Sequence, residues 1–302
     1  METPKNHLVL AIWRIETFQP KGSRIRLELK SQDDPAIASQ TLPARENIPP
    51  SEFESEIALI IKDGTDHTRK ELAKLQQILE FDLRPKPPRI IRDTYYDTSE
   101  NSLRQRKISF RTRKLGGTML IATKSDVRRI SGNIIRRRET ELPWSLDSVR
   151  LLARTLRLSP LKMSISEFRR NSASRTLASI GLNVIQERRT RREARDVVER
   201  GKIPASTLAE LALDRVTYYF QDLEVGLSEI EVEAKSPGSL PLVQQIASSL
   251  ISKHQPILQQ WFHGKFVTGL AIGKLLKIEA LQRHLVKGNL GPNAFDVIDR
   301  TI

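Results

Sequence analysis

Hydrophobic and polar positions alternate with a period of two over most of the middle of this chain. Side chains at i and i+2 of a strand share one face. The pattern predicts strands over Glu54–Ile61, Asp93–Asp97, Ile108–Arg113, Thr118–Lys124, Ile135–Leu142, Asn183–Arg191, Leu208–Val216 and Leu227–Lys235. Helical spacing interrupts them. Thr68 and Glu71 read as a capping box ahead of Leu72, Leu75 and Leu79. Ser145 opens a second helix with Leu146, Val149, Leu152 and Leu156. Eight strands with few helices argue for an α+β fold built on an antiparallel barrel or sandwich.

Punctuation divides the chain into three. Residues 1–51 form an N-terminal extension. Leu8, Leu10 and Ile12, then Ile25, Leu27 and Leu29, alternate like two short strands, and Pro35, Pro43, Pro49 and Pro50 mark a linker. Residues 52–236 are the body. Residues 237–302 follow the Pro237-Gly238 turn as C-terminal helices packed on the body and a tail with Gly288, Gly291 and Pro292.

Composition narrows the chemistry. With 302 residues, 38% apolar and 28% charged, the chain can bury a substantial core. It has no cysteine, which excludes a disulfide scaffold, a thiol nucleophile, an iron–sulfur cluster and Cys-ligated zinc, and fits the reducing cytoplasm. Its five histidines have no paired spacing. The longest apolar run near the N-terminus, Leu8–Trp13, is far shorter than the ~20 residues of a membrane span, so neither a membrane nor a signal peptide is expected.

Charge is in excess and unevenly placed. Fifty Lys+Arg against 36 Asp+Glu leave +14, which favours an anionic partner. Residues 84–138 hold 16 of the cations and only four acids. Acids gather at Glu52, Glu54 and Glu56 and again at Glu229, Glu231 and Glu233. The period of two aligns each of these sets on one strand face. It likewise aligns Arg111 with Arg113, Arg137 with Glu139 and Glu141, and Arg189 with Arg191. A single such strand would put its charges in water. Several acidic and several basic strands sharing one surface ask for a ligand of mixed charge. Three carboxylates in a row repel, and a bound divalent cation removes that repulsion. Their oxygens are the hard ligands Mg²⁺ and Mn²⁺ prefer. Basic strands opposite need a multiply charged anion. A metal-chelated polyphosphate satisfies both, and a barrel with its charged face inward would enclose it.

In order along the chain stand "ESEIA" (Glu54, Glu56), "YYDT" and "LR" (Arg104), "FRTR" (Arg111, Arg113), "ATK" (Lys124), "RRETE" (Arg137, Glu139, Glu141), "RRTR" (Arg189, Arg191), "LALD" (Asp214) and "SEIEVEAK" (Glu229, Glu231, Glu233). This order resembles the CYTH domain, the triphosphate tunnel metalloenzyme superfamily, over residues 52–236. The resemblance implies an eight-stranded antiparallel β-barrel forming a tunnel with charged residues inside. It implies a metal-dependent triphosphatase that uses Mg²⁺ or Mn²⁺ on inorganic triphosphate or a small organic triphosphate. Glu54, Glu56, Glu139, Glu141, Asp214, Glu229, Glu231 and Glu233 would hold metal. Arg104, Arg111, Arg113, Lys124, Arg137, Arg189 and Arg191 would hold the triphosphate. Glu56, Lys124 and Glu231 would be catalytic.

The chain departs from the family at one place. The family opens with ExExK, and here the third position is Ala58. Arg106 and Arg136 are basic neighbours that could replace the lysine. Lys265, in "FHGKFVTGLAI", could face the site but is expected to be solvated, and the N-terminal "RLELK" is expected to be an ordinary amphipathic strand. Three rivals remain: a class IV adenylate cyclase, a tunnel that binds polyphosphate or nucleotide without turnover, and a nucleic-acid-binding protein. The last explains the arginines but not three aligned glutamates, and 5% aromatic residues are few for stacking on bases.

Overall fold

The structure, a computed structural model, describes residues 52–130, 133–202 and 206–302. The two strands foreseen before residue 30 and the "RLELK" segment lie outside the described residues. Eight long strands dominate: β1 (Glu52–Ile61), β2 (Arg89–Asp97), β3 (Ser109–Leu115), β4 (Thr118–Ile130), β5 (Ile134–Pro143), β6 (Asn183–Glu199), β7 (Thr207–Phe220) and β8 (Leu223–Ala234). Each pairs antiparallel with its neighbours in the order β1-β5-β4-β3-β2-β6-β7-β8, and β8 pairs back onto β1 to close a barrel. Closure sets Glu56 opposite Glu233 and Ala58 opposite Glu231.

Among the described residues eight helices flank the strands: α1 (His67–Leu72), α2 (Ser102–Gln105), α3 (Leu146–Thr155), α4 (Ile165–Arg170), α5 (Ala173–Ala178), α6 (Leu240–Lys253), α7 (Lys265–Lys277) and α8 (Ala294–Asp299). Ser145 caps α3 as the spacing predicts, accepting from the Ser148 amide at 3.1 Å. Thr68 does not cap. The α1 helix begins one residue earlier, and Asp63, further upstream, accepts from the Thr65 and Thr68 amides at 2.8 and 3.0 Å. A capping box stands instead at α4, between Ser164 and Glu167.

Alternation decides which face goes where. On β8, Glu229, Glu231 and Glu233 face the lumen while Ile230 and Val232 pack outward. Those two join Ile57, Leu59 and Ile61 of β1 and Leu211 and Leu213 of β7 beneath Val243, Ile246 and Leu250 of α6. Phe110 and Ile121, on β3 and β4, are covered likewise by Val149 and Leu152 of α3 and Leu177 of α5. The apolar face is thus outside, under helices, and the charged face is inside. A third cluster, Ile60, Val216, Tyr218 and Leu227 with Ala271, Ile272 and Leu275, packs α7 against the barrel. At the beginning of this helix Gly269 sits where a Cβ would meet Gln186 and Tyr218 at 2.4 and 2.5 Å, so only glycine permits the approach.

Candidate active site

The barrel encloses a cavity of about 490 Å³. Nine cationic side chains and four carboxylates line it, so it favours a polyanion. The cations come from four strands, from α2 and the turn after it, and from α7. Arg111 and Arg113 stand on β3, Lys124 on β4, Arg137 on β5, and Arg188 and Arg192 on β6. Several of their donors are buried without a protein acceptor among the described residues, namely Arg188 Nε and Nη1, Arg111 Nε and Arg137 Nε. A buried donor without an acceptor is costly unless an anion takes it.

One carboxylate organises the arginines. Asp93 on β2 accepts from Arg188 Nη2 at 2.7 Å and from Arg113 Nε and Nη2 at 2.9 and 3.2 Å, with Arg111 Nε 3.8 Å away. Burial opposes its ionisation, but Arg111, Arg188 and Arg113 outweigh burial and hold the carboxyl well below the usual range. Tyr95 fixes the group from the other side. Its hydroxyl accepts from Arg111 Nη1 at 3.2 Å, and the Arg188 guanidinium lies 5.1 Å over its ring.

The acidic side of the lumen is paired in three groups. Lys124 Nζ lies 2.5 Å from Glu54 and 3.1 Å from Glu139. Burial and the hydrogen bond with Glu54 push Glu139 up to about 7, whereas Lys124 overcomes burial and holds Glu54 low. Arg137 pairs with Glu56, whose pKa burial nevertheless raises. The third group is Asp214 on β7 with Glu229 and Glu231 on β8. Arg192 grips Asp214 at 2.8 and 2.6 Å and also holds Glu231. Lys265 pairs with all three carboxylates. Burial drives Glu229 up to about 7, while Lys265 and Arg192 overcome burial at Glu231 and hold it well down.

The sequence-predicted residues fall into place unevenly. Glu54, Glu56, Arg104, Arg111, Arg113, Lys124, Arg137, Glu231 and Glu233 line the cavity. Asp214 and Glu229 are buried behind them. Glu233 pairs with Lys235 at 2.8 Å. Glu141 is exposed, 3.7 Å from Arg113. Arg104 is half-exposed and bridges to Asp97 at 3.3 Å. Arg189 and Arg191 are exposed on the barrel's outer face, so the expectation that they hold triphosphate is corrected. The inward residues of β6 are Arg188, Thr190 and Arg192. Both phases of "ERRTRREAR" carry arginine, so charge alone does not choose between them. The other residues do. Glu187, Arg189, Arg191, Glu193 and Arg195 make one face charged throughout; the first three are exposed, while Arg195 at the far end is buried and donates to the Ala73 carbonyl.

Lys265 is likewise corrected. It is buried at 9% exposure, not solvated. Neither basic neighbour considered for the missing lysine faces the lumen. Arg106 donates to the Leu156 carbonyl at 2.6 Å, and Arg136 lies 4.3 Å over the ring of Phe53.

A closed antiparallel barrel with oppositely charged rows inside defines a charged tunnel. Residues 52–257 match the family described as the CYTH domain, and the chain belongs to that family. Among solved structures it is similar to a Hippeastrum protein studied as an adenylyl cyclase and reported to have a dominant triphosphatase activity (17% identity, 72% of this chain and 94% of that one, TM-score 0.46). It is also similar to an inorganic triphosphatase (14%, 73% and 93%, TM-score 0.27) and to the Mimivirus capping enzyme triphosphatase (10%, 69% and 90%, TM-score 0.33). No curated protein matches the chain. No helix among the described residues is long and apolar enough to cross a membrane.

Proposed function

We propose that this tunnel is a metal-dependent triphosphatase that hydrolyses inorganic triphosphate or a small organic triphosphate. The observation that carries this reading is the set of buried guanidinium donors without protein acceptors around the cavity. Phosphoryl transfer needs positioning and charge neutralisation more than covalent help. Arg111, Arg113, Arg137 and Arg188 offer fixed forks to phosphate oxygens, and Lys124 offers a movable point charge. They would hold the chain of phosphates with its terminal phosphorus open to in-line attack by water. The charge that gathers on the leaving diphosphate would then be spread over the same arginines.

The carboxylates suit the metal the family implies. Asp214, Glu229 and Glu231 each offer an oxygen within 4.8 Å of the others, an all-oxygen set that matches Mg²⁺ or Mn²⁺. Glu54 and Glu56 on β1, which pairs with β8, and Glu139 on β5, which pairs with β1, stand beside them as further donors. A bound ion would neutralise phosphate oxygens and lower the pKa of a water.

The test is phosphate release from inorganic triphosphate with Mg²⁺ or Mn²⁺, against a chelator control, with ATP in parallel and cyclic AMP measured. Metal-dependent release of phosphate is expected. Cyclic AMP as the main product from ATP would replace this reading with the cyclase, and tight binding without release would replace it with the binding tunnel.

A further inference from the structure

Asp214, Glu229 and Glu231 are the one group among the described residues close enough to share an ion. A side chain already stands among them. Lys265 Nζ lies 3.0 Å from Asp214 and 2.5 Å from Glu231, and pairs with Glu229. This ammonium comes from no barrel strand. The nearest inward position of β1 is Ala58, the register partner of Glu231, and it carries no charge.

The root of Lys265 is pinned. Its carbonyl accepts from the Tyr218 hydroxyl at 2.8 Å, and the Phe266 carbonyl accepts from Gln186 Nε2 at 3.0 Å. The Phe266 ring stacks on Tyr95 with centroids 4.6 Å apart. The stem is four carbons with rotatable bonds, and the residue also lines the cavity. A fixed root and a long stem let the ammonium serve either the carboxylates or an anion in the cavity. An ammonium and a divalent ion compete for the same oxygens and repel one another, so the three carboxylates accommodate one or the other. Charge favours the exchange once an ion is present. With Arg192 and Lys265 the three carboxylates keep one net negative charge; with Arg192 and a divalent ion they are neutral.

We infer that Lys265 is a tethered competitor of the metal: a divalent ion enters the carboxylate group by displacing this ammonium, which then turns to the phosphate in the cavity. The inference rests on the reading of the tunnel as a site for metal-chelated triphosphate. It makes metal and triphosphate binding mutually reinforcing through one side chain.

Calorimetric titration with Mn²⁺ alone, without triphosphate, tests it on the wild type and on Lys265→Met, which keeps the stem and removes the charge. Mn²⁺ affinity is expected to rise roughly 10-fold or more in the variant, within the usual range of coupling between sites, while triphosphate affinity in saturating Mn²⁺ falls. A lysine of merely structural value would move both downward. Unchanged or weaker Mn²⁺ binding by the folded variant overturns the inference. Should Lys265→Met not fold, the wild type decides. Acylation of Lys265 by acetic anhydride, read by peptide mass spectrometry, is expected to be slow without Mn²⁺ and at least several-fold faster with it. Labelling that Mn²⁺ leaves unchanged or slows overturns the inference. Neither readout uses phosphate release, so failure here is distinct from failure of the triphosphatase reading.

Discussion

Replacing Asp93 by asparagine keeps the shape of the side chain and removes the one negative charge that three arginines share. Asp93 is 2% exposed, and its carboxylate meets Arg188 at 2.7 Å and Arg113 at 2.9 Å, with Arg111 at 3.8 Å. Breaking a buried ion pair from one side costs about 3–5 kcal/mol. We expect about 4 kcal/mol here, because asparagine can still accept one hydrogen bond but leaves three cations facing each other. At a urea slope of about 2–3 kcal/mol/M, the unfolding midpoint falls by about 1.3–2 M. On the proposed function, saturating inorganic triphosphate would bind the folded protein and supply the missing negative charge, so it should narrow the gap between variant and wild type to less than half. The sign of the pH dependence follows from the depressed carboxyl. Its stabilisation is present above the unfolded value of about 3.9 and is lost as pH falls towards the folded one. The two midpoints should therefore stay apart from neutral pH to about pH 4 and converge below it. A midpoint shift under about 0.5 M, against a slope of this size, or a gap that triphosphate leaves unchanged, would refute the reasoning.

Two further predictions test the geometry. Arg188→Ala should weaken triphosphate binding by about 10- to 100-fold, the scale of a lost charge-assisted hydrogen bond, while Arg189→Ala stays within about twofold; calorimetry showing the reverse order would invert the phase of β6. Gly269→Ala forces a Cβ against Gln186 and Tyr218 and should cost about 1–3 kcal/mol; an unchanged thermal midpoint would mean that α7 is not tightly seated.

The barrel was legible in the sequence because alternation is a local signal. The Glu229–Glu233 triad announces both its faces within five residues, and Ile230 and Val232 do lie beneath α6. The β6 phase failed because arginine occupies both faces, and the deciding Thr190 and Ala194 are quiet residues. Asp93 shows the opposite limit. Nothing near it in sequence marks it as the partner of Arg188, 95 residues away. Lys265 was hidden for the same reason. It belongs by spacing to a helix, and only tertiary packing, through Tyr218, Gln186 and the closely approached Gly269, brings it into the lumen.

Closure of the barrel joins its first strand to its last, with Glu56 paired to Glu233 across 177 residues of chain. During synthesis β1 emerges early and must wait for β8 before both its edges are paired. Until then a segment reading Ile57-Ala-Leu-Ile-Ile61 has an open edge, the kind that recruits strands from other chains. Pairing so distant in sequence also slows folding, because loop closure precedes the contacts that reward it. The glutamates at the head of β1 then serve a second purpose before any ligand arrives. Three like charges, at Glu52, Glu54 and Glu56, discourage two unfinished chains from aligning along that edge. Two of these glutamates, Glu54 and Glu56, line the finished tunnel and so also guard the nascent chain.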